Sequence, residues 1–458
     1  MSDETARAML EAMAIALELP QQSSAPVDFV DADRLPSCWP VSDLAAASIA
    51  AAAMALSNLI GLRTRSPPAT VSCRSASLWF GWSIKPMGWN MPDPWDAIAG
   101  DYAARDGWIK IHTNAPHHRA AALGVLNCEP TREAVARMVA QADAEAWEDA
   151  IVAAGGCAAR LRSAQQWTSH PQGRAVAREP LIIWDKPPTS HETAWQPSPT
   201  RPLSGLRVLD LTRIIAGPVA TRFLAGFGAD VLRIDPPDWE EDAVAPEVTL
   251  GKRCARLDLK TEQGRDHFRQ LLSTADILVH GYRTDALAKT GFDASARQRI
   301  RPGLIDISLN AYGHSGPWQG RRGFDSLVQF STGIAAGGMD WRQSAVPVSL
   351  PVQALDHATG YLLAAAAIRA LIARTTGEGH LTARLSLART AKLLMDHRSP
   401  PTEREFTKAA ARDYAAGVEQ SAWGPAHRLL PPVAIEGAPM WWDRPASHLG
   451  SVSAAWLE

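Results

Sequence analysis

The sequence lacks the signatures that announce the commoner chemistries. It has no GxxxxGK[ST] phosphate loop, no GxGxxG opening a helix, no GxSxG elbow and no HExxH pair. Those absences speak in turn against P-loop nucleotide hydrolysis, dinucleotide binding, α/β-hydrolase chemistry and zincin chemistry. The lone Gly226-Phe-Gly228 stands at a helix end, where glycine caps are routine. Cysteine is scarce: Cys38, Cys73, Cys128, Cys157 and Cys254 are scattered and show no CxxC or Cys/His spacing. That usage fits a reduced, cytoplasmic, metal-free chain. His112, His117 and His118 fall close together, but in no standard metal spacing.

Charge imbalance is also missing. A formal net charge of −2 offers no general attraction to nucleic acid or to an anionic membrane, so any anionic ligand must be held locally. Acidic Asp3, Glu4 and Glu11 break the pattern of a secretory leader. Only Leu44 to Leu62 is uncharged and nearly long enough to span a bilayer. It is mostly alanine, which contributes little to insertion, so a buried helix is expected, capped by Ser42-Asp43.

What is present divides unevenly. An N-terminal extension (1–39) is followed by segment 40–186, a proline-rich linker (187–201), a core (202–397) and a Pro/Trp-rich tail (398–458). Within 40–186, residues 63–100 read as irregular. Trp108-Ile-Lys-Ile-His112 reads as a strand and 117–126 and 131–154 as helices. The core alternates strands and helices: strands at 206–211, 231–235, 277–280 and 304–308, helices at 218–227, 262–273 and 293–300. That alternation predicts an α/β fold, an open, mostly parallel doubly wound sheet with helices on both faces, beside a smaller α+β domain. Ligands of such sheets sit beyond the carboxyl ends of the strands. A long apolar helix is expected from Leu355 to about Ala373, then a strand at 381–387 and a helix to His397. The tail reads as largely irregular.

Asp356, at the start of the long helix, admits two readings. Aspartate is a preferred N-cap and could serve only to satisfy amides. A carboxylate at a helix N-terminus also stays ionised, can act as a covalent nucleophile, and has amides nearby for an oxyanion.

The order of short motifs resembles the first half of class III (CaiB/BaiF-type) CoA-transferases. Pro202-Leu-Ser-Gly-Leu-Arg-Val-Leu-Asp-Leu-Thr212 is similar to the family's opening. Ala216-Gly-Pro218, Gly228-Ala-Asp-Val-Leu-Arg-Ile-Asp-Pro-Pro237, Gly251-Lys-Arg253, Gly323-Phe-Asp325 and Asp356-His-Ala-Thr-Gly360 follow in family order. The resemblance implies that Asp356 is the nucleophile. It also implies that Ile214, Ile215, Ala216, Gly281, Tyr282 and Lys289 lie against coenzyme A, with Arg283 a weaker candidate. Residues 40–200 resemble the family's second half, through Asp106-Gly-Trp-Ile-Lys-Ile111, Ala153-Ala-Gly-Gly-Cys157 and His170-Pro-Gln172. The second-half-like segment therefore precedes the first-half-like one.

From this resemblance follow several expectations. The chain is a CoA-transferase acting on an acyl-CoA and a carboxylic acid through aspartyl-anhydride and aspartyl-CoA intermediates. No tightly bound cofactor is expected, coenzyme A being a substrate, and the chain forms a homodimer. Residues 80–97 hold Trp, Pro and Met where formyl-CoA transferases carry a glycine-rich loop, which speaks against formyl transfer. Racemases of the superfamily place a histidine where this chain has Phe324, which argues for transfer, although His357 or His314 could substitute. An acyl-CoA isomerase and a non-catalytic acyl-CoA-binding relative remain the alternatives. Pocket walls are expected from residues 79–95 and 423–443.

Overall fold

A computed structural model describes residues 3–19, 26–185, 195–281, 286–379 and 382–457. Its centre is a seven-stranded sheet. From edge to edge the strands are Arg253–Arg256, Asp230–Asp235, Arg207–Leu211, Ile277–His280, Ile305–Asn310, Thr382–Ser386 and Ile183–Asp185. All neighbours are parallel except the last pair. The strands are nearly continuous apolar runs because both faces are covered. On Arg207–Leu211, Val208 packs into one core while Leu209 and Leu211 enter the other. Strand Ile277–His280 divides in the same way, with Ile277 and Val279 opposite Leu278. The expected doubly wound sheet is present.

Chain order along the sheet reverses between Arg207–Leu211 and Ile277–His280. From Arg207–Leu211 the next two strands step one way, and the later strands step the other. Such a switch point opens a crevice at the carboxyl ends of the two central strands.

Three of the helices in the larger core pack against one another. Val41–Gly61 packs along Ala354–Thr375, which also crosses Ala216–Gly226. Val41–Gly61 is long and apolar enough to cross a membrane, yet 89% of its most apolar window is buried in the protein. Its cap is not the expected one. Ser42 and Asp43 lie inside the first turn: Ser42 Oγ accepts from the Leu35 amide and Asp43 pairs with Arg34 at 2.7 Å.

Segments read as irregular contain short elements. Residues 63–100 supply strands Ala69–Ser72 and Ile84–Pro86 and helix Cys73–Trp79. The tail supplies a hairpin, Tyr414–Ser421 with Gly424–Leu429, and strand Val433–Ile435. These pair across the chain: Ile84–Pro86 joins the hairpin, and Ala69–Ser72 joins Val433–Ile435. A third small sheet, Gly100–Ala104, Gly107–Ile111 and Ala158–Arg160, carries its own core with helices Pro116–Leu126, Arg132–Val139 and Ala144–Ala153. It is the smaller α+β part.

Gly360 sets the crossing of the two core helices. A Cβ there would lie 2.4 Å from the Ala216 carbonyl oxygen and 2.8 Å from Val219 Cβ. Backbone cannot yield as a flexible side chain would. Gly360→Ala is therefore expected to destabilise the fold by about 2 kcal/mol through overpacking, read as a lowered midpoint in urea unfolding.

Candidate active site

Asp356 lies on the first turn of Ala354–Thr375 and is 7% exposed. It does not cap its helix. Asp325, 31 residues earlier, takes that role: its Oδ2 accepts from the Leu355 amide at 2.8 Å and the Asp356 amide at 2.9 Å. Its Oδ1 accepts from Gln329 Nε2, and Gln329 Oε1 accepts from the Leu350 amide at 2.7 Å. This chain of bonds pins residues 350–356. No hydrogen bond from the described residues reaches the Asp356 carboxylate.

Two expectations are corrected here. The amides at the helix start are not available to an oxyanion, because two serve Asp325 and the His357 amide donates to the Gln353 carbonyl. Nor does the helix terminus hold Asp356 ionised. Burial first, and then the facing Asp325, push its carboxyl well above the ordinary range. Burial raises Asp325 itself to about 6, against the pull of its Gln329 and amide donors.

Asp356 stands where two cavities meet. One, of about 400 Å³, opens at the switch point. Leu211, Thr212 and Gly281 reach it from the ends of the central strands, and Arg213, Arg321 and Arg322 give it cationic walls. The other, of about 330 Å³, lies on the far side of Asp356 beneath Phe80, Trp82 and Trp95. Ile214, Phe324 and Asp356 line both.

The resemblance-derived positions separate in space. Ile214, Ala216 and Gly281 line the switch-point cavity, and Ile215 lines the aromatic one. Lys289 is exposed at the end of the short helix Ala286–Lys289 and lines neither. Tyr282 and Arg283 lie outside the described residues. His357 lines the aromatic cavity, stacked 5.0 Å from Phe80, whereas His314 lines neither and contacts the Leu385 carbonyl. Pocket walls do come from 80–95. Residues 423–443 contribute none; Trp442 stacks on Trp79 and donates to the Arg222 carbonyl.

Sequence reasoning missed His112 and Ser326, both in the aromatic cavity. His112 lies flat against Phe324, ring centroids 3.8 Å apart. Burial and then Lys110 lower it to about 4, so its ring is neutral. Ser326 Oγ and His357 Nδ1 are buried without a hydrogen-bond partner among the described residues. Ser326 follows Asp325 directly in the Gly-Phe-Asp motif. Among the described residues no group of three His, Cys, Asp or Glu could hold a metal ion.

The loop entering Ala216–Gly226 is held from beneath. Lys252 Nζ, fully buried, pairs with Asp210 at 2.9 Å and donates to the Pro218 carbonyl at 2.9 Å. Asp210 also accepts from the Thr212 amide at 2.9 Å. The motif residues Asp210 and Lys252 thus fix the backbone at Thr212–Pro218. Ile214 sits at φ +65°, a costly value for a β-branched residue, and its amide donates to Glu241 at 3.0 Å.

Two predictions follow from these contacts. Lys252→Met leaves Asp210 charged, buried and unpaired, and is expected to cost about 3–5 kcal/mol, with Asp210→Asn on top restoring part of it in a double-mutant cycle by urea unfolding. The Asp325–Asp356 pair binds protons more tightly folded than unfolded. Its stabilising contribution is complete below about pH 4, the unfolded carboxylate range. The share of Asp325 is lost as pH rises through about 6, and that of Asp356 as pH rises through its own raised value. Asp356→Asn should flatten the fall in urea midpoint between pH 4 and 8, and an unchanged slope would show that Asp356 titrates as an ordinary carboxyl.

Residues 203–427 match the model of CoA-transferase family III. A probable fatty acyl-CoA transferase of Mycobacterium tuberculosis is 32% identical over 191 residues, 39% of this chain and 48% of that protein. The succinate–glutarate CoA-transferase of Agrobacterium fabrum is 34% identical over 203 residues, 40% of this chain and 50% of that one. A solved CaiB/BaiF family protein from Brucella suis is 27% identical with a TM-score of 0.39, covering 49% of this chain and 65% of its own. The chain spans about half the length of the curated relatives it matches. Residues 203–427, which carry Asp356 and the strand ends that frame the switch-point cavity, are the part of the chain that is similar to CoA-transferase family III.

Proposed function

We propose that the chain transfers coenzyme A between an acyl-CoA and a carboxylic acid, with Asp356 as the group that is acylated. One observation carries the reading: a carboxylate that takes no hydrogen bond from the described residues stands at the junction of a cationic cavity and an apolar one. The cationic cavity suits the phosphates and pantetheine of coenzyme A, and the apolar one suits the acyl group.

Asp356 carboxylate attacks the thioester carbonyl; the C–S bond breaks, and CoA leaves as thiolate from a mixed anhydride. The thiolate attacks the aspartyl carbonyl, releasing the first acid as carboxylate and leaving an aspartyl-CoA thioester. The acceptor carboxylate attacks that thioester and expels CoA thiolate. The thiolate then takes the acceptor's acyl group, and Asp356 is restored as carboxylate. Each step exchanges groups of similar energy. An anionic Asp356 is favoured poorly by its surroundings, which raises its nucleophilicity once the cavity is filled. Ser326 Oγ, the unpartnered donor in the apolar cavity, replaces the spent helix amides as the oxyanion partner.

A second reading rests on His112. Its neutral ring stacks on Phe324 in the cavity of Asp356, and so supplies a proton carrier beside the position where racemases of the superfamily place one. That arrangement supports an acyl-CoA isomerase. Segment 40–186 is read as the second-half equivalent set ahead of the first, and two copies are expected to form a homodimer.

Trapping decides between the readings. Acyl-CoA followed by borohydride should reduce Asp356 to the alcohol, and Asp356→Asn should abolish the adduct. Ser326→Ala should slow turnover by about 100-fold with little change in KM. Exchange of the acyl α-proton with deuterated water, without an aspartyl adduct, would establish the isomerase instead.

A further inference from the structure

Charge is divided sharply between the two cavities. Arg213, Arg321 and Arg322 all line the switch-point side. Among the described residues, no lysine or arginine lines the aromatic cavity. Besides Asp356, the formal charges on its wall are two carboxyls, Asp325 and Glu247. The cations that balance Glu247 stand behind the wall: Arg222 and, at 3.3 Å, Arg428. Burial would raise Glu247, but these guanidinium groups hold it below the ordinary range, so it is anionic. The two histidines present add no positive charge, since burial lowers His112 to about 4 and His357 to about 3.

The remaining wall is apolar. Phe80, Val248 and Val244 form a buried floor, and Trp82 and Trp95 frame the mouth at 41% and 42% exposed. Two large aromatic rings left half in water beside a cavity of about 330 Å³ gain by being covered. That volume falls at the lower end of the range for whole organic ligands, well beyond what an acetyl group fills.

We propose that the aromatic cavity selects a bulky acyl group without a second charge, an aryl or branched-alkyl carboxylic acid, and rejects dicarboxylates. A distal carboxylate would enter an apolar site with no cation on its wall and two carboxyls facing it, so discrimination comes from an unpaired charge as well as from better packing. The proposal rests on the transferase reading for its chemistry, but the cavity's preference can be measured without turnover.

The test uses the full chain and two non-reactive thioether analogues of acyl-CoA, one ending in phenyl and one in carboxylate at matched length. Calorimetry should give the phenyl analogue about 100-fold tighter binding, a ratio set by burial of an uncompensated charge. Equal binding, or tighter binding of the carboxylate analogue, overturns the proposal. Trp95→Arg, a change at a half-exposed mouth residue, should reduce the ratio at least about tenfold by giving the carboxylate a partner. An unchanged ratio in that variant, with the fold intact by unfolding midpoint, would also overturn it. Turnover of phenylacetyl-CoA and succinyl-CoA is followed in parallel. A tenfold or greater preference in binding with no aspartyl adduct from either thioester upholds the cavity assignment and defeats the transferase reading alone.

Discussion

Two amide hydrogen bonds to Asp325 underlie the organisation of the site. A helix N-terminus leaves donors that some group must accept, and a buried end without such a group is costly. By taking the Leu355 and Asp356 amides, Asp325 satisfies the helix and leaves the Asp356 side chain with no structural task. The same placement sets two carboxyls against each other in a buried setting, which is why the pair resists ionising twice. Structural capping and chemical potential are here one arrangement.

The site also depends on contacts well away from it. Gly360 lets the Asp356 helix approach Ala216–Gly226 closely enough to set the Thr212–Ala216 loop beside the carboxylate. Lys252 and Asp210 hold that loop from below, and Glu241 holds Ile214 in a strained conformation from the side. Ile214 and Phe324 then stand between the two cavities. Gly360, Lys252 and Asp210 fall in short motifs, and each acts on backbone position rather than on a ligand.

The aromatic cavity is assembled from distant parts of the chain. Phe80, Trp82, Trp95 and His112 come from before residue 115, and Val244, Val248 and Phe324 from the α/β half. The small sheets explain how: Ile84–Pro86 is anchored to the C-terminal hairpin, which fixes the segment that crosses the cavity. Cations on one side of Asp356 and apolar rings on the other divide the space into two chemically distinct halves.

The strands and helices of the core were legible because both faces of the sheet are buried, which writes apolar runs of strand length between amphipathic helices. The candidate nucleophile was legible through motif order, not through position, since a helix-start aspartate has an ordinary structural use. Residues 63–100 and the tail were not legible as strands: each piece is three to eight residues long, and Ile84–Pro86 and Ala69–Ser72 pair with strands from the other end of the chain. His112 and Ser326 could not be placed at Asp356 from spacing, because what brings them there is packing across more than 200 residues or along a neighbouring helix. The identity of the capping group was hidden for the same reason. Sequence by itself determined which local segments form and which chemical groups are available. Tertiary structure decided which carboxylate is left unbound and what surrounds it, because desolvation and hydrogen-bond partnership depend on neighbours in space.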